Sequence, residues 1–277
     1  MKKISRARDL AFKKAFSTTG HTDALRGLAK DILDIDIDTL DIEEPYSIST
    51  YIKLIDSKEY SQLHQTIKDI SATVTIKDKL ANLVSELQVR GALHFPERSL
   101  YYPAERYAKN YNLDGGKYQS LMPIYGINIL GFDMFKEDRD GVRQFEFWDR
   151  VHQRGFPVQF IVGYLEYKKD NFFTDNQWYW RDYFLDRDIP DGAPDYIKQA
   201  ALIVEYANMS EEEKRVLDLL EKFEADKQAR EGFVFEEGKL EGRQEMARKA
   251  LAKKYPIDEI IDLTGLTEKE IMALANA

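Results

Sequence analysis

The sequence contains no cysteine, few histidines, and no apolar run long enough to cross a membrane. The lack of cysteine excludes disulfides, a thiolate zinc site and a cysteine nucleophile. The histidines show no metal-ligand spacing: His21, His64, His94 and His152. The N-terminus is basic but has no apolar core of the kind found in signal peptides. We therefore expect a protein of the reducing cytoplasm that does not bind membranes.

Positive charge is also scarce, since the formal net charge is −9. Such an acidic chain makes a poor overall electrostatic match for nucleic acid. If the protein binds DNA, the contact must come from a local basic patch. At 277 residues and 43% hydrophobic content, the chain can bury one large core or two modest ones.

A change in composition near residues 186–194 predicts a division of the chain. Two prolines and a glycine among acids are typical of a linker. Before it, hydrophobic periodicity predicts helices over 5–19, 22–33 and 96–112, and strands over 122–132, 144–148 and 158–167. After it, every segment has a helical pattern, beginning with one helix over 194–208. We therefore predict an α/β (α+β) domain over residues 1–190 and a helical region over 194–277.

A β-hairpin between residues 69 and 89 is the centre of the first domain. Alternation predicts strands over roughly Ile70–Ile76 and Asn82–Val89, with a turn at Asp78-Lys79. Because side chains alternate with period 2, Glu86 and Gln88 share one strand face. The simpler interpretation is an edge strand with a solvated face. The alternative is a metal-dependent nuclease, whose site needs oxygen ligands for Mg²⁺ and a polar group to position water.

An ordered series of motifs resembles the PD-(D/E)XK nuclease family transposases, or recombination-promoting nucleases. The series opens with D-x-x-F-K-x-x-F at Asp9, Phe12, Lys13 and Phe16. It continues with Glu86-Leu87-Gln88, Arg98-Ser99-Leu100-Tyr101-Tyr102, Gly116-Lys117-Tyr118 and Pro123-Ile124-Tyr125-Gly126-Ile127-Asn128-Ile129-Leu130. The E-x-Q motif is specific only within this series, whereas the whole series in order is a strong signal.

The resemblance implies a restriction-endonuclease-like mixed sheet flanked by helices, and a Mg²⁺-dependent DNA endonuclease. It implies that Glu86 and the Leu87 backbone carbonyl bind the metal, and that Gln88 positions the attacking water. The family's strand aspartate falls at position 72, which is Ala72 in this chain. A turn centred on Lys79 pairs residue 72 with Glu86, and it leaves Asp69 on the opposite face unless a bulge intervenes.

The alanine at this position leads us to expect weak or absent Mg²⁺ binding and no appreciable cleavage. The chain is then either a degenerate copy or one in which Ala72 was introduced to inactivate it. The alternative function is a non-catalytic DNA-binding or oligomeric regulatory protein that kept the nuclease fold. A second acid, Glu166, forms an E-x-K pattern with Lys168, but we expect its role to be structural.

Two groups of cations are candidates for DNA contact. Arg98, Arg106 and Lys109 lie on the helix after the hairpin, where they either meet a phosphate backbone or form a solvated face. In the tail, five cations and one acid give residues 243–254 a local charge of +4, and they include Arg243, Arg248 and Lys249. The two last helices are typical of either a small helix-turn-helix or a helix pair used for homo-oligomerisation.

Overall fold

The computed structural model describes residues 4–57, 69–113, 118 and 121–275. The chain forms two compact units, Met1–Lys214 and Arg215–Ala277, which are described separately below. None of the helices in the described ranges combines the length and apolar character that a membrane span requires. Three residues named above, His64, Gly116 and Lys117, lie outside the described residues.

The first unit contains six helices and eight strands within its described residues. Its helices are α1 (Asp9–Ser17), α2 (Asp23–Leu33), α3 (Ile48–Asp56), α4 (Phe95–Leu113), α5 (Asp175–Phe184) and α6 (Asp195–Ile203), followed by a 3₁₀ turn at Tyr206–Asn208. Its strands are β1 (Thr39–Ile42), β2 (Asp69–Ile76), β3 (Lys79–Gln88), β4 (Ile124–Leu130), β5 (Val142–Glu146), β6 (Trp148–Asp149), β7 (Arg154–Gly155) and β8 (Phe160–Glu166).

Six of these strands form one mixed sheet in the order β1-β2-β3-β4-β8-β5. The first three strands pair antiparallel, β3, β4 and β8 run parallel, and β5 returns antiparallel to β8. Every residue of β4 is buried, as expected for a central parallel strand covered on both faces. The predicted mixed sheet flanked by helices is confirmed.

The main core lies between one sheet face and the helices α1, α2, α5 and α6. Phe12 and Phe16 pack together on the same face of α1 with ring centroids 4.9 Å apart, and the Trp180 ring of α5 lies 5.5 Å from that of Phe16. Ile70, Ala72 and Val74 supply the β2 side of this core. Helix α5, which the periodicity did not predict, is therefore a major contributor to the core.

Helix α4 lies on the other sheet face. Its Pro103 approaches β4 so closely that a Cβ on Gly126 would lie 3.2 Å from the proline ring. Phe95 at the start of the helix packs with Leu130, Val162 and Tyr164. This second face carries the polar side chains of the hairpin.

The boundary between the units lies about twenty residues later than predicted. Helix α6 places Ile197, Ala200 and Ala201 in the main core, and the first compact unit extends to Lys214. The tyrosine hydroxyl of Tyr196 also donates to Asp31 of α2 at 2.8 Å. The linker composition of residues 186–194 instead marks a surface connection between two core helices.

The second unit consists mainly of helices α7 (Glu211–Ala252), α8 (Ile257–Thr264) and α9 (Glu268–Ala275). Helix α7 begins with a capping box, in which the backbone N–H and hydroxyl of Ser210 exchange hydrogen bonds with Glu213. A small core contains Ala247, Ala250, Ile260, Leu266 and Ile271.

Candidate active site

The turn between β2 and β3 sets the geometry of the hairpin. Lys77 and Asp78 both have positive φ angles, 50° and 61°, and Ile76 pairs directly with Lys79. This is the two-residue connection that matches the twist of antiparallel strands. Because loop length fixes register, the pairing places Asp69 directly opposite Glu86.

The predicted pairing of Ala72 with Glu86 is therefore wrong. Ala72 pairs with Leu83, and its side chain is fully buried in the main core. The predicted turn was centred on Lys79, whereas the observed turn is centred between Lys77 and Asp78. Each residue of β2 therefore pairs with a β3 residue three positions earlier than predicted, which is an odd shift. An odd shift exchanges the two faces of the partner strand. Ala72 consequently lies on the sheet face opposite to that of Glu86, and Asp69 lies on the same face as Glu86.

Asp69, Glu86 and Gln88 lie on the sheet face that α4 covers. Directly opposed residues in an antiparallel pair have Cβ atoms about 4.5–5.5 Å apart, so the two carboxylates can reach a shared ligand. Strand β3 lies between β2 and β4, and Glu86 is only 5% exposed. The edge-strand interpretation is thus wrong, and Glu86 is a buried acid.

Arg98 of α4 contacts both predicted site residues on β3. Its Nη2 donates to Glu86 Oε1 at 2.9 Å and to Gln88 Oε1 at 2.5 Å. The Gln88 amide nitrogen in turn donates to the backbone carbonyl of Arg90 at 2.8 Å. These contacts fix the orientation of the Gln88 amide, with its oxygen toward the arginine.

Lys13 of α1 supports the other side of the site. Its ammonium donates to the backbone carbonyl of Asp69 at 2.8 Å, and the side chain is almost fully buried. Burial lowers the pKa of Lys13, whereas the negative charges of Glu44 and Asp69 act in the opposite direction. Lys13 therefore fixes the backbone of the residue that carries the first carboxylate.

Tyr102 is near both carboxylates. Burial raises the pKa of the Tyr102 phenol, and the negative charges of Asp69 and Glu86 raise it further. Across the sheet, the register continues from Glu86 through Asn128 to Tyr164, whose hydroxyl shares a 2.8 Å hydrogen bond with Ser99. The site therefore contains neutral hydroxyl and amide groups beside two acids and the Arg98 guanidinium.

The donor set suits a hard divalent cation. Asp69 and Glu86 offer carboxylate oxygens, and the Leu87 backbone carbonyl lies between Glu86 and Gln88 in β3. Mg²⁺ commonly binds through one or two carboxylates while it keeps several waters. No group of three or more His, Cys, Asp or Glu side chains suited to a metal occurs among the described residues, which is compatible with this sparse type of site.

Two of the three candidate DNA contacts on α4 are engaged within the protein. Arg98 holds Glu86 and Gln88, as described above. Arg106 donates to Asn82 Oδ1 at 3.0 Å and to Glu43 Oε2 at 2.8 Å, which ties α4 to the hairpin and to the segment after β1. Lys109 is largely exposed, with Glu105 3.5 Å away.

Among the candidate cations of the tail, one is also engaged within the protein and two are exposed. Arg243 donates to the carbonyls of Thr264 and Gly265, so it caps the end of α8, where Gly265 has a φ of 62°. Arg248 and Lys249 are exposed on α7, and Lys249 lies 2.6 Å from Glu245. Only the latter two are free of a structural capping role.

Glu166 has the kind of contacts that a structural carboxylate makes. It is buried, accepts the backbone N–H of Phe135 at 3.1 Å, and pairs with Arg143 at 3.0 Å. It also accepts the backbone N–H of Met134. Glu166 therefore fastens the loop between β4 and β5.

The sequence pattern placed Asp69 on the opposite face and did not single out Tyr102 as a site residue. The register that sets Asp69 opposite Glu86 follows from the left-handed conformation of Lys77 and Asp78, which neither residue type demands. Tyr102 lies one helical turn after Arg98, so both project from one helix face.

A comparison with protein families identifies the nuclease-like part of the chain. Residues 6–179 match the family model described as PD-(D/E)XK nuclease family transposase. Comparison with curated proteins and with solved structures gives no significant match.

Proposed function

Because the chain belongs to the PD-(D/E)XK nuclease family transposases, we propose that it is a Mg²⁺-dependent DNA endonuclease with Asp69 and Glu86 as its acid pair. The observation that carries this proposal is the register that sets Asp69 opposite Glu86 on the face covered by α4. The reason for expecting inactivity was Ala72, and that residue belongs to the core. We accordingly propose an active enzyme of the reducing cytoplasm.

Each site residue has a separate proposed role. Asp69, Glu86 and the Leu87 carbonyl would hold Mg²⁺, which when bound polarises the scissile phosphate and makes water a stronger nucleophile. Gln88 orients the attacking water through its amide. Lys13 holds the Asp69 backbone in place, and Tyr102 remains protonated at neutral pH as a hydrogen-bond donor toward the phosphate.

DNA is the proposed substrate, and exposed cations would make the first electrostatic contacts with it. With a net charge of −9, most of the surface repels a phosphate backbone. Lys109 of α4 and the exposed pair Arg248 and Lys249 of α7 are the best placed among the candidates. Contacts of this kind weaken as salt rises.

The second unit is proposed to serve assembly or DNA docking, with no part in the chemistry. In the middle of α7, Phe233, Val234 and Phe235 are each more than 60% exposed. Three consecutive exposed apolar side chains on a long helix favour burial against a second copy of the chain. Homo-oligomerisation through this helix would also place two nuclease units on one DNA.

The experiment is a plasmid-nicking assay of the full chain with Mg²⁺ and with Mn²⁺. We expect cleavage by the wild type, and its loss in Asp69→Asn and Glu86→Gln, which keep the side-chain size but remove the negative charge. Thr73→Val, on the same face of β2, is the matched control and should retain cleavage. Absence of cleavage by the wild type with both metals would instead favour the non-catalytic DNA-binding protein.

A further inference from the structure

Arg98 contacts the carboxylate of Glu86, which is a proposed metal ligand. A single nitrogen, Nη2, contacts Glu86 Oε1 and Gln88 Oε1 at 2.9 and 2.5 Å. The guanidinium therefore joins a proposed metal ligand to the proposed water-positioning residue. A charged hydrogen bond to a nearly buried carboxylate is among the stronger polar contacts in proteins.

The Arg98 guanidinium packs over the ring of Phe95, at the start of α4. Its guanidinium carbon lies 5.1 Å from the centre of the Phe95 ring, and Phe95 is itself buried against Leu130 and Tyr164. The Ser99 hydroxyl, next in sequence, donates to the Pro96 carbonyl at 2.8 Å. Arg98 therefore belongs to the first turn of α4, and one third of its side chain is exposed.

Building on the proposed function, we propose that Arg98 is a latch that competes with the divalent cation for Glu86. In the metal-free protein its positive charge neutralises the buried carboxylate. When a cation binds Glu86, two positive charges face the same carboxylate, and the Arg98 contact weakens or breaks. The guanidinium is then available at the exposed side of α4 for a phosphate of the DNA, which couples metal loading to substrate binding.

This competition makes a prediction that an ordinary positioning role does not make. If Arg98 only oriented Glu86 for the metal, its removal would weaken metal binding. If it competes, its removal strengthens metal binding, because the cation no longer displaces a charge-assisted hydrogen bond. The sign of the change in affinity therefore separates the two roles.

The test measures Mn²⁺ binding to the full chain by isothermal titration calorimetry, without DNA. We expect Arg98→Gln to bind Mn²⁺ about tenfold more tightly than the wild type, since the displaced contact is a hydrogen bond to a charged group. Arg98→Met is a second variant of similar length in case the first misfolds, and far-ultraviolet circular dichroism checks folding. Arg139→Gln, which removes one cation from an exposed pair with Asp170, is the matched control.

The outcomes separate this inference from the proposed function. Tighter binding in the Arg98 variants, unchanged in Arg139→Gln and lost on adding Glu86→Gln, supports the latch. Measurable wild-type binding that is equal or weaker in the Arg98 variants overturns the latch and leaves the nuclease proposal intact. If neither the wild type nor any Arg98 variant binds Mn²⁺, the metal-dependent function and the latch are both wrong.

Discussion

Asp69 lies directly opposite Glu86 across the β2–β3 pair, and the two acids share the sheet face beneath α4. The same pairing sends Ala72 to the opposite face, into the main core. One residue of β2 therefore carries proposed chemistry while another, three positions later, carries only packing. This relationship leads to the predictions below.

Introducing an acid at position 72 should destabilise the protein without improving catalysis. Ala72→Asp places a carboxylate in a fully buried apolar environment, and we expect it to lower the free energy of unfolding by about 3 kcal/mol or more. Thr73→Asp, on the half-buried opposite face, is the control and should cost much less. Urea denaturation measures both. Higher nicking activity in Ala72→Asp would contradict the register.

Removing the Lys13 ammonium should reduce turnover more than DNA affinity. Lys13→Met leaves the Asp69 carbonyl without this donor, so the first carboxylate is held less firmly. Small misplacements of catalytic groups are costly, and we expect kcat to fall roughly 10- to 100-fold. Steady-state cleavage kinetics separate kcat from KM. Lys53→Met, an exposed lysine on α3, should be close to wild type, and an unchanged kcat in Lys13→Met would show that the contact has no catalytic role.

Tyr167 should make the protein sensitive to alkaline pH. Burial, with a contribution from the charge of Asp186, raises the pKa of Tyr167 to about 12, whereas an unfolded tyrosine titrates near 10. The folded state thus retains the proton longer, and the resulting stability is complete below pH 10 and declines as pH rises toward 12.

The variant Tyr167→Phe should show a shallower loss of stability over this range, by up to about 2 kcal/mol. Urea denaturation at several values between pH 9 and pH 12 measures the slope. Tyr101→Phe, which removes an exposed phenol, is the control. Identical slopes for Tyr167→Phe and the wild type would show that Tyr167 does not titrate differently in the folded state.

Two truncations should separate the core from the tail. A chain ending at Gly192 loses Ile197, Ala200 and Ala201 from the main core, and we expect it not to fold cooperatively. A chain ending at Phe223 keeps these residues and Glu213, which pairs with Lys14 at 2.8 Å and accepts the Tyr46 hydroxyl at 2.7 Å. Thermal denaturation should give a cooperative transition for the second chain alone.

The longer truncated chain should also bind DNA more weakly or form a smaller oligomer than the full chain. It lacks the +4 segment of residues 243–254 and the exposed Phe233, Val234 and Phe235. Fluorescence anisotropy at 50 and 200 mM salt and size-exclusion chromatography measure the two properties. Retention of both full affinity and full oligomeric state would exclude the role proposed for the tail.

The sequence by itself determined several of the helices and strands and the position of the candidate site along the chain. Apolar periodicity predicted α1, α2, α4 and the buried strand β4, because these signals are local. The motifs around Glu86, Gln88 and Arg98 placed the candidate site on the hairpin and the next helix. The Thr267–Glu270 and Ser210–Glu213 capping boxes likewise depend only on neighbouring residues.

Tertiary structure alone decided which acid joins Glu86, which cations are available, and where the first unit ends. The hairpin register depends on the φ angles of Lys77 and Asp78, and neither residue type demands the left-handed conformation as glycine does. The engagement of Arg98 and Arg106 depends on partners distant in sequence. Helix α6 joins the core because Tyr196 and Ile197 contact α2 and its neighbours. These contacts join residues far apart in the sequence, so local composition does not predict them.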